Sequence, residues 1–237
     1  MAIHIGTSGW AYASWKPDFY PPKLPAKKFL EYYATRLNSV EINFTFRQLP
    51  SESMVTGWLA AVGADFAFSF KAPQRITHFA RLKNCADTVA AFYASLNPVL
   101  RAKQLGVVLF QLPPNFKADA GLLDEFLSTA KTAGVRPAFE FRHESWFGEE
   151  TYAVLRRHKA ALCAAESDQL ESPDVVTAPF RCYRLRKSEY APAELDALVA
   201  DLGEKAKDSE VFVYFKHEET PEGALNAASV LRRLREA

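Results

Sequence analysis

The residues best equipped for chemistry stand at the ends of short apolar runs. Glu41 and Asn43 close the run Ser39–Asn43, Lys71 closes Phe66–Lys71, Gln111 closes Leu105–Gln111, and Glu140 and Arg142 close Pro137–Arg142. Farther along, Glu166 ends Ala161–Glu166 with Asp168 just beyond it, Arg184 stands near the end of Phe180–Leu185, and Lys216 ends Val211–Lys216. Carboxylates and cations gathered in this way suit acid–base work on a small ligand that carries hydroxyl and anionic groups. Arg142, two residues from Glu140, should hold that carboxylate ionised as a base, a nucleophile or a metal ligand. Glu41 has no cation near it in sequence, which suits the acid partner. Lys71, Arg142 and Arg184 would then hold the anion or stabilise charge as it develops. His78 and His143, in the loops after the third and fifth runs, extend the binding set.

For these ends to meet, the runs must be strands of one sheet. With Ile3–Gly6 they number eight, separated by helix-like stretches at about 26–37, 52–62, 86–102, 120–133, 149–158, 192–206 and 222–235. Ser51 and Asp119 are placed to open the helices that follow them, and Pro192 with Glu194 suits a first helical turn. Gly134 suits the left-handed end of a helix finishing at Ala133. Strand then helix, repeated, predicts parallel strands joined by crossovers. An open doubly wound sheet would more often carry a Gly-rich phosphate turn after its first strand. Here Gly6-Thr7-Ser8-Gly9-Trp10 imitates one weakly and leads into a Pro-rich loop. Eight units in 237 residues match the roughly 250 of a closed barrel. The expectation is α/β, a single (β/α)8 TIM-barrel domain over residues 1–237.

Strand alternation sorts the side chains. Phe66, Phe68 and Phe70 oppose Ala67, Ser69 and Lys71; Phe139 and Phe141 oppose Ala138, Glu140 and Arg142; Val40 and Ile42 oppose Glu41 and Asn43. The bulky apolar set should pack on the helices, leaving the small and polar set inward. That rule puts Glu41, Glu140, Glu166 and Asp168 among Lys71, Arg142, Arg184 and Lys216 at the C-terminal mouth, where barrel enzymes keep reacting groups. A network of ion pairs that merely plugs the mouth would use the same residues. Glu218, Glu219 and Glu222 around the last loop favour a carboxylate ligand over a phosphate.

Composition bounds the rest. A net charge of +1, from 29 Lys+Arg against 28 Asp+Glu, argues against a nucleic-acid partner. A rim of Lys23, Lys27, Lys28, Arg75 and Arg81 keeps a nucleic-acid-processing barrel as a lesser alternative, beside a non-catalytic sensing barrel. No run of 18 apolar residues exists, so no membrane span is expected. Cys85, Cys163 and Cys182 show no CxxC spacing, and Met1–Gly6 shows no leader, so a reduced, cytoplasmic setting is expected. Glu140, His143, Glu166 and Asp168 could surround a divalent cation. No metal-binding spacing accompanies them, so a metal is not favoured and no cofactor is assigned. Trp10, Tyr12 and Trp15 could stack on a ligand or form the lid's own small core, the second being favoured; Trp146 could join either. Oligomeric state is left open.

At these residues the chain resembles the YecE-like family, a domain of unknown function with a barrel fold. The matching pieces begin with Gly6-Thr7-Ser8-Gly9-Trp10, Tyr12, Trp15 and Phe19-Tyr20-Pro21, then Val40-Glu41-Ile42-Asn43 running to Thr45-Phe46. They continue with Phe68-Ser69-Phe70-Lys71-Ala72-Pro73 to Ile76-Thr77-His78, Leu109-Phe110-Gln111-Leu112-Pro113-Pro114-Asn115-Phe116 and Glu140-Phe141-Arg142-His143-Glu144-Ser145-Trp146. Thr177-Ala178-Pro179-Phe180 and Asn226-Ala227 complete them. The resemblance spans almost the whole chain in order. It implies the barrel, singles out Glu41, Lys71, His78, Gln111, Glu140 and Arg142, and supplies no substrate. The chain departs from the family pattern at Arg47 (Tyr expected), Glu166 (Asp), Arg186-Lys187 (His-Gly) and Lys216 (Asn), so its divergence concentrates in the loops after strands six to eight.

Overall fold

The computed structural model describes residues 3–166, 170–187, 189–216 and 220–236. Its strands are β1 (Ile3–Thr7), β2 (Ser39–Ile42), β3 (Ala67–Lys71), β4 (Leu105–Gln111), β5 (Pro137–Glu140), β6 (Ala161–Ala165), β7 (Phe180–Leu185) and β8 (Glu210–Phe215). The helices are α1 (Phe29–Arg36), α2 (Glu52–Ala60), α3 (Ala86–Ser95), α4 (Asn97–Arg101), α5 (Ala120–Thr129), α6 (Glu149–His158), α7 (Pro192–Asp208) and α8 (Glu222–Glu236). Every paired strand is parallel, in the order β1-β8-β7-β6-β5-β4-β3-β2. The chain is therefore a (β/α)8 barrel, with β1 and β2 meeting at its seam.

No backbone ladder joins β1 to β2 among the described residues; two side chains close the seam instead. Asn38 accepts a hydrogen bond from the Ile5 amide (2.8 Å) and donates to the Ile3 carbonyl (2.8 Å), as a neighbouring strand would. The Tyr33 hydroxyl, from α1, accepts from the Thr7 amide (2.9 Å) and donates to the Ser39 carbonyl (2.9 Å). Gly6 lies between them. A Cβ there would stand 1.9 Å from the Ser39 carbonyl oxygen, so glycine is what lets the strands approach.

Alternation sorts the core as the pattern predicts. Phe66, Phe68, Phe70, Phe139 and Phe141 pack between sheet and helices, while Ala67, Ala138, Cys163 and Cys182 line the interior. The size rule fails at Phe180, Phe212 and Tyr214, which are bulky yet inward. Small residues opposite make the room: a Cβ on Gly106 would meet Ser69 Oγ at 2.3 Å and the Phe212 ring at 3.3 Å. Tyr214 crosses the axis, its hydroxyl within 2.8 Å of Ser39 Oγ and 2.6 Å of Ser69 Oγ.

Three helix boundaries differ from expectation. The stretch 86–102 divides at Leu96, because Pro98 has no amide to continue α3 and starts α4 instead. The stretch 26–37 opens with a 3-10 turn, Ala26–Lys28. Helix α5 stops at Thr129, and Gly134 (φ +82°) serves a turn closed by Val135 N–H to the Thr132 carbonyl rather than a helix end. Ser51 and Asp119 do cap their helices, bonding the amides of Met54 (3.2 Å) and Leu122 (2.9 Å). No described helix is long and apolar enough to cross a membrane. Replacing Tyr33 with Phe strips partners from one buried amide and one buried carbonyl, so it should cost about 1–3 kcal/mol, read as a lower urea midpoint.

Candidate functional site

At the C-terminal mouth, β7 delivers Arg184 to the barrel axis between β2 and β5. Its Nη2 donates to Glu41 Oε1 at 2.7 Å and its Nη1 to Glu140 Oε2 at 2.6 Å. All three side chains are almost fully buried (3%, 0% and 2% exposed). Burial alone would weaken the Arg184 proton, but the two carboxylates outweigh it and push the pKa up. Glu140 is also held by Gln111 Nε2 (2.9 Å), Arg186 Nη2 (2.7 Å) and Arg142 Nε (3.2 Å). Four donors fill the roughly four lone-pair positions of one carboxylate. Burial acts to raise its pKa, yet Arg184, Arg186 and Arg142 prevail and hold the carboxyl at about 2.

Glu41 is differently placed. Oε1 takes Arg184 and the Ser8 hydroxyl (3.2 Å), whereas Oε2 is buried without a partner among the described residues. Asn43 Oδ1, Arg184 Nε and Arg186 Nε share that condition. The β2–β3 register pairs Glu41 with Ser69 and Ile42 with Phe70, and Asn43 then leaves the strand to open the 3-10 turn Phe44–Phe46. Lys71 places Nζ 4.2 Å above the Phe46 ring and makes no ion pair among the described residues. Burial, then the positive field of Arg184, lowers its pKa to about 8, although Glu41 and Glu140 pull the other way. His78 meets the far side of this corner, its ring edge-on to Phe46 (5.0 Å) and its Nδ1 2.9 Å from Thr77 Oγ1. Burial, then Lys71 and Arg142, lowers its pKa.

The structure thus brings Glu41, Gln111, Glu140, Arg142 and Arg184 into one network, with Asn43, Lys71 and His78 beside it. Other expectations need correction. The premise that Glu41 lacks a cation fails, because Arg184 arrives from 143 residues away. Glu166 does not face the axis: it accepts from the amides of Arg186 (2.8 Å) and Lys187 (3.3 Å) and from the Tyr190 hydroxyl. Lys216 is exposed just past β8. Trp146 is buried, stacked on Phe141 at 4.5 Å with its indole N–H given to the Phe116 carbonyl, so it supports the loop rather than facing a ligand. Trp10 packs edge-on to Trp58 at 5.6 Å. Trp15, Phe19 and Tyr20 are buried in mutual contact, the lid's own core. His143 Nδ1 bonds Ser145 Oγ (2.8 Å), and among the described residues Glu140, His143 and Glu166 form no group that could hold a metal ion. Asp168 lies outside the described residues.

Arg186 was missed as a site residue. Standing two positions beyond Arg184, it shares that side of the strand's continuation, and the same alternation rule would have found it. Among the described residues the balance at the mouth becomes two carboxylates, Glu41 and Glu140, against Lys71, Arg142, Arg184 and Arg186.

A family model described as protein of unknown function DUF72 matches residues 4–237. The UPF0759 protein YecE of Escherichia coli (strain K12) is 31% identical over 169 residues, 70% of this chain and 53% of its own. The chain thus spans about half the length of the curated relatives it matches. A DUF72 family protein from Thermotoga maritima MSB8 superposes with TM-score 0.86 at 26% identity, over 99% of this chain and 100% of that one. A D-psicose 3-epimerase from Clostridium cellulolyticum H10 shares the fold alone, with TM-score 0.59 at 10% identity over 100% of this chain and 99% of its own.

Two outcomes follow from the network. Arg184→Met leaves two buried carboxylates without their shared partner and should cost about 3–5 kcal/mol in chemical denaturation. Glu140 titrates at about 2 when folded against 4.5 when free, so between those values the unfolded chain binds more protons. Stability should fall as pH drops through that window, and Glu140→Gln should flatten the slope in acid titrations of the melting temperature.

Proposed function

The chain belongs to the DUF72 family, and from the geometry of its barrel mouth we propose that it is an enzyme moving protons on a small polar anion. One observation carries this reading: the mouth holds charges that it does not pair. A network built only to plug the barrel would satisfy itself. Here Glu41 keeps a fully buried oxygen without a partner, and Lys71 has no counter-ion among the described residues. Unsatisfied buried groups are rare unless water, an ion or a ligand completes them.

In this reading the anionic end of the substrate lies against Arg142 and Arg186, which are the more accessible guanidinium groups and keep free N–H donors. Gln111 and Arg184 hold those neighbours in register through Glu140. With its lone pairs occupied and its pKa near 2, Glu140 serves to orient cations rather than to take protons. Proton transfer falls instead to Glu41 Oε2 and to Lys71, whose pKa of about 8 suits exchange near neutral pH. Asn43 and His78 border the same space and would contact the ligand's hydroxyl groups. A cytoplasmic setting belongs to the same reading, supported by the three free cysteines.

The test is native mass spectrometry of freshly purified protein, followed by a metabolite screen for turnover. A small anion should be retained and consumed. Glu41→Gln should keep the ligand while lowering turnover at least about 100-fold, the usual weight of a general acid–base group. Stoichiometric retention with no product would instead make this a sensing barrel.

A further inference from the structure

Resting on that reading, we propose that Lys71 is the nucleophile of the site and that its substrate is a small carbonyl compound carrying a carboxylate, held as an imine. The placement of the amine argues for this. Lys71 closes β3 at the mouth, lies over the Phe46 ring at 4.2 Å and is tied to no acid among the described residues. A lysine meant only to hold an anion gains from full solvation or a neighbouring carboxylate. One buried at the mouth beside Arg184 and Arg142 gains from being neutral, the state in which an amine attacks, although the Phe46 face favours the ammonium. The charged and titratable groups around it are Arg184, Arg142, Glu41 and Glu140, with His78 across the Phe46 ring. Burial first, then Arg184 and Arg142 against the opposing pull of Glu41 and Glu140, lowers the pKa of Lys71 to about 8.

The chemistry balances within the site. The Lys71 ammonium first gives a proton to Glu41 Oε2, the buried oxygen without a partner among the described residues. The neutral amine then attacks the carbonyl carbon. A C–N bond forms, the C=O π bond breaks, and an amine proton passes to the new alkoxide to make a carbinolamine. Glu41 returns its proton to the departing hydroxyl, which leaves as water while the nitrogen lone pair forms the C=N bond. One ammonium and one carbonyl become one iminium and one water, with no oxidant or reductant. The iminium then acidifies the adjacent C–H bonds, which connects this step to the proton transfers proposed above. Arg142 and Arg186 hold the carboxylate, and Asn43 Oδ1, also unpartnered, accepts from the carbinolamine hydroxyl.

Trapping tests this directly. The purified protein is incubated with pyruvate, glyoxylate or 2-oxoglutarate and sodium cyanoborohydride, then mapped by peptide mass spectrometry. With at least one of these probes, Lys71 should gain the mass of the probe less one oxygen atom. It should be labelled at least about tenfold faster than exposed lysines such as Lys27 and Lys83, because far more of it is neutral near pH 8. Lys71→Arg, which keeps the charge and reports on folding by its melting temperature, should lose the label and all turnover. If Lys71 reacts no faster than those exposed lysines with any of the three, the proposal is wrong. The acid–base reading has a separate readout: turnover that survives in Lys71→Arg but falls in Glu41→Gln would overturn the imine alone. Loss of turnover in neither variant would overturn both.

Discussion

Arg184 is the interaction on which the site depends. A guanidinium buried at the axis of a barrel is costly unless its donors are met by acceptors, and a carboxylate in the same place is costly unless its charge is answered. Glu41 from β2 and Glu140 from β5 bind Arg184 Nη2 and Nη1 from two directions, and in doing so fix three strands relative to one another across the mouth. The arrangement also spends Glu140 completely. Once Arg184 and Gln111 hold one oxygen, and Arg142 and Arg186 the other, that residue is an anchor for cations.

Below this layer the barrel is filled rather than hollow. Tyr214 and Phe212 occupy the space left by Ser39, Ser69 and Gly106, and the Tyr214 hydroxyl reaches both serines. The same economy of size closes the seam, where Gly6 allows β1 to pass β2 and the side chains of Asn38 and Tyr33 replace a backbone ladder. A solid floor and a pinned seam leave the polar groups one direction in which to meet solvent, the C-terminal mouth. There, among the described residues, the pairing is incomplete, at Glu41 Oε2, Asn43 Oδ1 and Lys71 Nζ.

Much of this was legible before any coordinates. The repeat of strand and helix predicts the barrel, because a crossover that returns to a parallel strand needs a helix of about that length. Alternation in β3 and β5 places Lys71 and Glu140 inward, because a strand turns its side chains over at every step. The same rule, carried two residues past Arg184, reaches Arg186. Glu166 keeps the side of Leu162 and Ala164, opposite the interior Ala161 and Cys163, so the alternation holds there and puts it outward, while Lys216 stands exposed just past β8. The rule misjudged size at Phe180, Phe212 and Tyr214, because whether a bulky side chain fits inside depends on the strand across the barrel.

The sequence by itself determined the fold and the membership of most of the polar cluster, since both follow from local periodicity. Only the tertiary structure decided what each member touches. Glu41 and Arg184 are 143 residues apart, and no local pattern records that they touch. That contact, together with the other arginines on Glu140, lowers the basicity of one carboxylate, leaves one oxygen of the other unmet among the described residues, and buries Lys71 beside Arg184. Basicity depends on burial and on charges within a few ångströms, and those distances exist only once the barrel has closed.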